Sequence, residues 1–164
     1  MPFSCSDAMT AEPSMPPVAE LLPHGAEALC LDTLTEYVAG ERVAALLAVR
    51  AGLPLYDEKL GGIPAWAGIE IMAQTAGLFV GMDAIAAGGS PRVGYLIGVR
   101  RFRARCGLYE AGLELVIEAN SHCCESAGLG CFACRIEAGS KLLASATISV
   151  WRPPHIEPSG NPPA

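Results

Sequence analysis

The stretch that decides the fold is residues 61–89, GGIPAWAGIEIMAQTAGLFVGMDAIAAGG. A proline near its start and a glycine pair at its end are typical of helix boundaries, so it predicts a helix over residues 65–87. Nearly every side chain in it is apolar or glycine, and such a helix has to be buried, here inside a sheet. The main exception is Glu70. An acid in an apolar helix is uncommon unless it is paired or functional, so Glu70 is a candidate catalytic residue.

The rest of the chain alternates strand-like segments with turns. A short helical turn is predicted over residues 17–22, and a loop over 51–63 leads into the central helix. The predicted strands cover residues 28–37, 42–50, 93–105, 113–122, 128–137 and 141–151. This order predicts an α+β fold in which an antiparallel sheet wraps around one long central helix. We expect residues 1–17 to form a disordered arm, 18–152 the folded domain and 153–164 a proline-rich tail.

Composition narrows the function classes. The 164 residues carry a formal net charge of −6, which argues against binding to nucleic acid or to an acidic membrane surface. The apolar run of the central helix is interrupted by polar residues, so no membrane span is expected. The N-terminus lacks the features of a secretory signal, and seven cysteines make an odd number. We therefore expect a cytoplasmic protein with reduced thiols.

A metal site is not expected from the cysteines. Cys131 and Cys134 form a C-x-x-C pair, but this pair lies inside a predicted strand. Residues an odd number apart in a strand point to opposite faces, whereas zinc ligands have to converge.

Several local strings resemble the FabZ-type 3-hydroxyacyl-ACP dehydratases, which have the hotdog fold. They are LLPH at residues 21–24, GIEIMAQ at 68–74, YLIG at 95–98 and RFR at 101–103. The string IPAWAGIE at 63–70 is more similar still to the ApeP-type dehydratase-like proteins of aryl polyene biosynthesis clusters. The resemblance extends over about residues 18–151. It implies a hotdog fold and removal of water from a 3-hydroxyacyl thioester in fatty-acid or aryl-polyene-type chain synthesis.

The resemblance also implies how the substrate is carried and how the protein assembles. The acyl group would be bound to the phosphopantetheine of an acyl carrier protein, with no separate cofactor. The protein would form a homodimer, or a heterodimer with another hotdog subunit, and the active site would lie at the interface.

The loop ahead of the helix departs from the FabZ pattern. FabZ-type enzymes carry their catalytic histidine there, but residues 56–66 of this chain, YDEKLGGIPAW, contain none. The histidine upstream of Glu70 is His24, so we expect His24 to be the base that takes the C2 proton. Glu70, kept protonated by an apolar surround, would be the acid that protonates the leaving C3 hydroxyl. The alternative for both residues is a purely structural role.

The resemblance and the chemistry indicate a set of substrate-binding residues. Gly98 would offer a backbone N–H to the developing enolate oxygen. Gln74 would orient Glu70 or the substrate, unless it is a packing amide. Trp66 and Tyr56 would line an acyl tunnel, unless they are core residues. Arg101 belongs to a basic cluster suited to a phosphate or an acidic carrier protein, unless the cluster is a solvated strand face. The predicted substrate-binding set is therefore Gly98, Gln74, Trp66, Tyr56 and Arg101, with Arg100, Arg103 and Arg105 completing the basic cluster.

Two other functions stay open at this point. One is a hotdog acyl thioesterase that uses the helix acid with water as nucleophile. The other is a catalytically weak subunit that supports an active hotdog partner in a heterodimer, which the missing loop histidine favours.

Overall fold

A computed structural model describes residues 15–124 and 127–153. A six-stranded antiparallel sheet wraps one long helix, which confirms the predicted α+β arrangement. The helices are α1, Val18–Leu21, and α2, Gly68–Ala86. The strands are β1 (Thr33–Val38), β2 (Arg42–Ala48), β3 (Gly62–Pro64), β4 (Tyr95–Ala104), β5 (Leu108–Glu110), β6 (Glu114–Cys124), β7 (Leu129–Ala138) and β8 (Lys141–Trp151). The large sheet has the order β1-β2-β6-β7-β8-β4, and β3 pairs with β5 separately. The arm predicted over residues 1–17 and the tail over 153–164 lie mostly outside the described residues.

Helix α2 agrees with the sequence prediction at both ends. A 3₁₀ turn, Ala65–Ala67, leads directly into it. Beyond its end Gly88 has a φ of +76°, which glycine adopts without strain, and its N–H donates to the carbonyl of Ile85 at 2.9 Å. Inside the fold the Phe79 ring lies 5.3 Å from that of Phe132 on β7, in an edge-on arrangement. The aromatic contact fixes the middle of the helix against the sheet.

The first strand is shorter than predicted. Residues 26–28 form a 3₁₀ turn, and β1 begins only at Thr33. The carbonyl of Ala28 and the N–H of Cys30 are bonded to the side chain of Gln74 on α2. Because these backbone groups already have partners on the helix, the segment joins the sheet only from Asp32, whose N–H donates to the carbonyl of Leu46 on β2 at 2.9 Å.

Two three-residue strands were not predicted from the sequence. β3 lies at the end of the predicted loop over 51–63, and β5 lies between the predicted strands 93–105 and 113–122. They pair with each other, Ile63 opposite Tyr109, and the Tyr109 hydroxyl donates to the carbonyl of Ala65 at 3.3 Å. Strands of this length are too short to show an alternating pattern. Together they hold the start of α2 in place.

Strand β4 lies at one edge of the large sheet and is unusually exposed. None of its ten residues is fully buried, although its first half is apolar. The exposed side chains on and around it include Val93, Tyr95, Leu96, Ile97, Val99 and Trp151. An exposed apolar edge strand is normally covered by another chain.

By length and composition alone, the stretch Ala65–Ala86 could also cross a membrane. The central helix of a globular fold passes the same test. Since the sheet covers one side of this helix, we assign it to the interior of the fold.

The close approach of β3 to β5 gives a first prediction. A Cβ added to Gly62 would overlap the carbonyl oxygen of Tyr109 and lie 3.1 Å from the Cα of Glu110. We expect Gly62→Ala to lower the free energy of unfolding by about 1–3 kcal/mol, as overpacking does. Urea denaturation measures the change. Gly107→Ala is the matched control, because nothing lies within 4 Å of its added Cβ. An equal loss in both variants would contradict the packing argument.

Candidate active site

A cavity of about 150 Å³ lies between α2, the segment after α1 and the ends of β4, β7 and β8. His24 and Glu70 both line it, together with Gln74. The two predicted catalytic residues, which are 46 positions apart, therefore face the same space. Tyr95 on β4 and Trp151 on β8 also line it.

Glu70 lies in the first turn of α2 and is exposed in the single chain. The prediction that Glu70 is buried is therefore wrong for the single chain. It lies on a face of α2 that the chain's own sheet does not cover. One of its carboxylate oxygens, Oε1, accepts a hydrogen bond of 3.0 Å from Nε2 of Gln74, one turn further along the helix.

Gln74 is only 2% exposed, and every polar group of its side chain is used within the protein. Its Oε1 accepts from the N–H of Cys30 at 2.9 Å, and its Nε2 donates to the carbonyl of Ala28 at 2.8 Å as well as to Glu70. An amide with two N–H groups and one carbonyl is fully satisfied by these three bonds. The geometry favours orientation of Glu70 over direct contact with a substrate.

Cys30 is a buried thiol beside this network. Burial, and then the nearby Glu70 carboxylate, raise its pKa to about 11. The thiol is therefore protonated near neutral pH, and since the thiolate is the nucleophile, Cys30 is not suited to covalent catalysis.

His24 follows Pro23 in the exposed segment between α1 and the 3₁₀ turn Ala26–Ala28. The other histidine in the described part of the chain, His122, lines a second pocket, which adjoins the first at Asp83 and Cys124. Of these two side chains, His24 is the one that shares a cavity with Glu70.

The other predicted substrate-binding residues do not line this cavity. Tyr56 is half-buried and packs against the core, whereas Trp66 is 66% exposed on the turn before α2. Gly98 is half-buried within β4, and a Cβ added there would meet Ser149 at an ordinary 3.8 Å. Arg101 is exposed at an irregularity of β4, with a φ of +54°. Any substrate-binding role for these four residues would require a surface that a second molecule completes.

The described residues contain no group of three or more potential metal ligands. The C-x-x-C pair is split across the strand, because Cys134 is buried and Cys131 is only half-buried. The difference in burial agrees with the predicted placement of the two side chains on opposite faces of the strand.

Sequence reasoning did not assign a role to Asp83, which also lines the cavity. It follows Glu70 by 13 positions on the same helix, and its carboxylate accepts a hydrogen bond from the Tyr37 hydroxyl. The sequence did mark Asp83 as a candidate, because it is one of the few polar residues in the apolar run. Its partner Tyr37 is 46 residues away, and no local pattern connects the two.

Structural comparison defines the class of protein. The chain is similar to the dehydratase heterocomplex ApeI:P from Xenorhabdus doucetiae, with a TM-score of 0.79 and 25% identity over 85% of this chain and 93% of that chain. The virulence protein Cj0977 from Campylobacter jejuni matches with a TM-score of 0.55 and 17% identity, over 82% and 85% of the two chains. A mutant thioesterase from Pseudomonas aeruginosa matches at 0.51 and 10%, over 72% and 78%. These similarities confirm the hotdog fold.

The family follows from the sequence. Residues 16–160 match the ApeP-like family, whose members are described as ApeP dehydratase. The chain belongs to this family. It is accordingly a hotdog dehydratase, a lyase of aryl polyene synthesis. Dehydratases of this fold act on acyl thioesters without a separate cofactor, in agreement with the sequence prediction.

The hydrogen bonds of Gln74 give a second prediction. Gln74→Leu removes the donor that orients Glu70, so we expect kcat to fall about tenfold or more while KM changes little. Steady-state kinetics on the folded fraction measures this split. The control is Thr75→Val, a buried change in the same turn whose hydroxyl bonds only to the carbonyl of Ile71, at 3.0 Å. If KM rises and kcat is retained, Gln74 contacts the substrate instead.

Proposed function

We propose that this chain removes water from a 3-hydroxyacyl thioester carried on the phosphopantetheine of an acyl carrier protein. His24 acts as the base that takes the C2 proton. Glu70 acts as the acid that protonates the C3 hydroxyl, which leaves as water as the C2–C3 double bond forms. The observation that carries the proposal is the position of His24 and Glu70 on one cavity, in a chain of the ApeP-like dehydratase family.

The exposed position of Glu70 is part of this proposal. A carboxylic acid serves as a proton donor near neutral pH when an apolar surround disfavours its ionised form. The chain alone leaves Glu70 on an open helix face. A second hotdog subunit that covers this face would supply the apolar surround and exclude water.

A second candidate for the base is a histidine of that other subunit. Two observations favour it. The loop ahead of α2, residues 56–66, contains no histidine. Glu70 is also exposed in the single chain, so a second chain could reach it. In this version the chain contributes the acid, and the partner contributes the base.

Substitution of each histidine separates the two versions. We expect Glu70→Gln and His24→Ala each to lower kcat about 10²–10⁴-fold, the usual contribution of a general acid or base. Hydration of an enoyl-ACP, measured on the protein in its assembled form, gives the rate. His122→Ala is the matched control, because that side chain lies at a different pocket, and it should leave the rate unchanged.

Each other outcome has a specific meaning. Full activity in His24→Ala, with loss in Glu70→Gln, would assign the base to the partner subunit. Full activity in Glu70→Gln would refute the role of the helix acid. A wild-type protein that hydrolyses acyl thioesters and neither hydrates nor dehydrates them would be a thioesterase.

We further propose that the protein works in the cytoplasm as a dimer, with another hotdog subunit as the favoured partner. The exposed apolar edge strand β4 is the surface that would pair, by extending the sheet into the second chain. A heterologous partner is favoured because the ApeI:P complex to which this chain is similar is itself a heterocomplex. Arg100, Arg101 and Arg103, also on β4, remain candidates for contact with an acidic carrier protein.

A charge on the edge strand tests the pairing surface. Ile97 is 57% exposed on β4, and we expect Ile97→Asp to convert the assembly to single chains, because an unpaired charge would be buried in the interface. Light scattering coupled to size exclusion gives the mass. Thr35→Asp places the same charge on β1, the opposite edge of the sheet, and should leave the mass unchanged. An unchanged mass in Ile97→Asp would place the interface elsewhere.

A further inference from the structure

The stretch of chain that leads to His24 lies directly on helix α2. Leu21 and Leu22 are only 1% and 3% exposed and belong to the hydrophobic core. The next six residues, which include His24, are all exposed. Within the described part of the chain, no hydrogen bond or ion pair holds the His24 imidazole. The position of His24 is therefore set by the way in which its backbone is attached to the helix.

Two glycines of α2 make this attachment possible. A Cβ added to Gly81 would lie 2.7 Å from the carbonyl oxygen of Leu21 and 3.3 Å from the Cβ of the same residue. A Cβ added to Gly77 would lie 2.8 Å from Cδ2 of Leu22. The shortest of these separations are well below the distance at which non-bonded atoms attract one another. An alanine at either position would therefore push against the chain that leads to His24.

The backbone conformation does not require glycine at either position. Gly77 and Gly81 lie inside α2, and neither has a positive φ. A glycine inside a helix is less favourable than an alanine by about 1 kcal/mol. The two residues are four positions apart, so they lie on the same face of the helix. What they provide at that face is room for a second stretch of chain.

A second attachment to α2 lies on the other side of His24. The side chain of Gln74 accepts a hydrogen bond from the N–H of Cys30 and donates one to the carbonyl of Ala28. His24 thus lies in a short bridge of chain whose two ends are both fixed to the helix that carries Glu70. Because one helix holds both ends of the bridge and the acid, contacts along that helix determine the separation of His24 and Glu70.

We propose that Gly77 and Gly81 are positioning residues for His24, and that their lack of side chains brings the imidazole within reach of a substrate at Glu70. The inference rests on the proposed function, in which His24 is the base. A shift of about 1 Å in a reacting group can lower a rate about 10²-fold. Gly81 is the more stringent of the two glycines, because the atoms nearest to it include the backbone of Leu21. The atom nearest to Gly77 is the end of a side chain, which can move aside more easily.

Alanine at Gly81 tests the proposal. We expect Gly81→Ala to lower kcat about tenfold to 10²-fold in the hydration of an enoyl-ACP by the assembled protein. KM should change by less than about twofold, because Gly81 does not line the cavity. The control is Gly107→Ala, whose added Cβ has nothing within 4 Å, and it should keep the wild-type rate. A wild-type kcat in folded Gly81→Ala would overturn the proposal.

A double-mutant cycle determines whether Gly81 acts through His24. In the His24→Ala background the imidazole is already absent, so Gly81→Ala should have no further effect on kcat. A purely structural defect would lower kcat by the same factor in both backgrounds, and that result would overturn the proposal. Loss of rate in His24→Ala with full rate in Gly81→Ala would refute the positioning role and leave His24 as the base. Full rate in His24→Ala would refute the assignment of the base, and the positioning role with it.

Gly77→Ala provides the test if Gly81→Ala does not fold. Its added Cβ meets Cδ2 of Leu22, an atom that valine lacks, so Leu22→Val should remove the overlap. We expect Gly77→Ala to lower kcat about threefold to tenfold, as a displaced reacting group does, and the double variant to recover most of the loss. Leu22→Val alone is the matched control, which measures the effect of the smaller side chain. Failure of the double variant to recover kcat would overturn the proposal, since the loss would then arise in the cavity that Gly77 lines.

Discussion

Helix α2 has more apolar surface than one sheet can cover, and much of the remaining structure depends on this constraint. The sheet buries the face that carries Ile71, Met72, Leu78 and Phe79. The face that carries Glu70 stays outside the sheet. The free energy needed to bury a carboxylate without an ionic partner is far larger than the free energy gained from the apolar contact. The uncovered face becomes the wall of a groove. Strand β4 pairs with β8 on one side only, so the sheet also ends in an open edge.

Much of the fold could be predicted from the sequence, because the features that mark its helix and strands are local. The boundaries of α2 follow from Pro64 and Gly88, and the long strands follow from alternation and turns. The exposure of Glu70 could not be predicted from the sequence. Helix α2 is apolar on all sides, so its sequence does not indicate which face the chain's own sheet covers. The role of Gln74 depends on partners 44 and 46 residues away, and no spacing rule connects them. Sequence reasoning therefore anticipated the pairing of Gln74 with Glu70 and missed the backbone contacts that hold Gln74.

The same limits apply to the choice between dehydratase and thioesterase. Both reactions use an acid on the central helix, and a thioesterase is among the structures with this fold. Geometry within a single chain does not separate them, because the difference lies in what faces the acid: a C3 hydroxyl or a water molecule. The family match over residues 16–160 decides the matter.

The side chain of Gln74 ties the 28–30 segment to the helix and also holds the carboxylate of Glu70. The N-terminal segment contributes no strand to the sheet before Thr33, so it can separate from α2 while the sheet remains intact. When it separates, Gln74 loses two of its three partners and Glu70 loses a fixed orientation. Heating would therefore inactivate the enzyme before it denatures, and the temperature of half-maximal activity would lie below the melting temperature. The thermal tolerance of the activity would therefore depend on the packing of Leu21, Leu22 and Cys30, the buried residues of this segment.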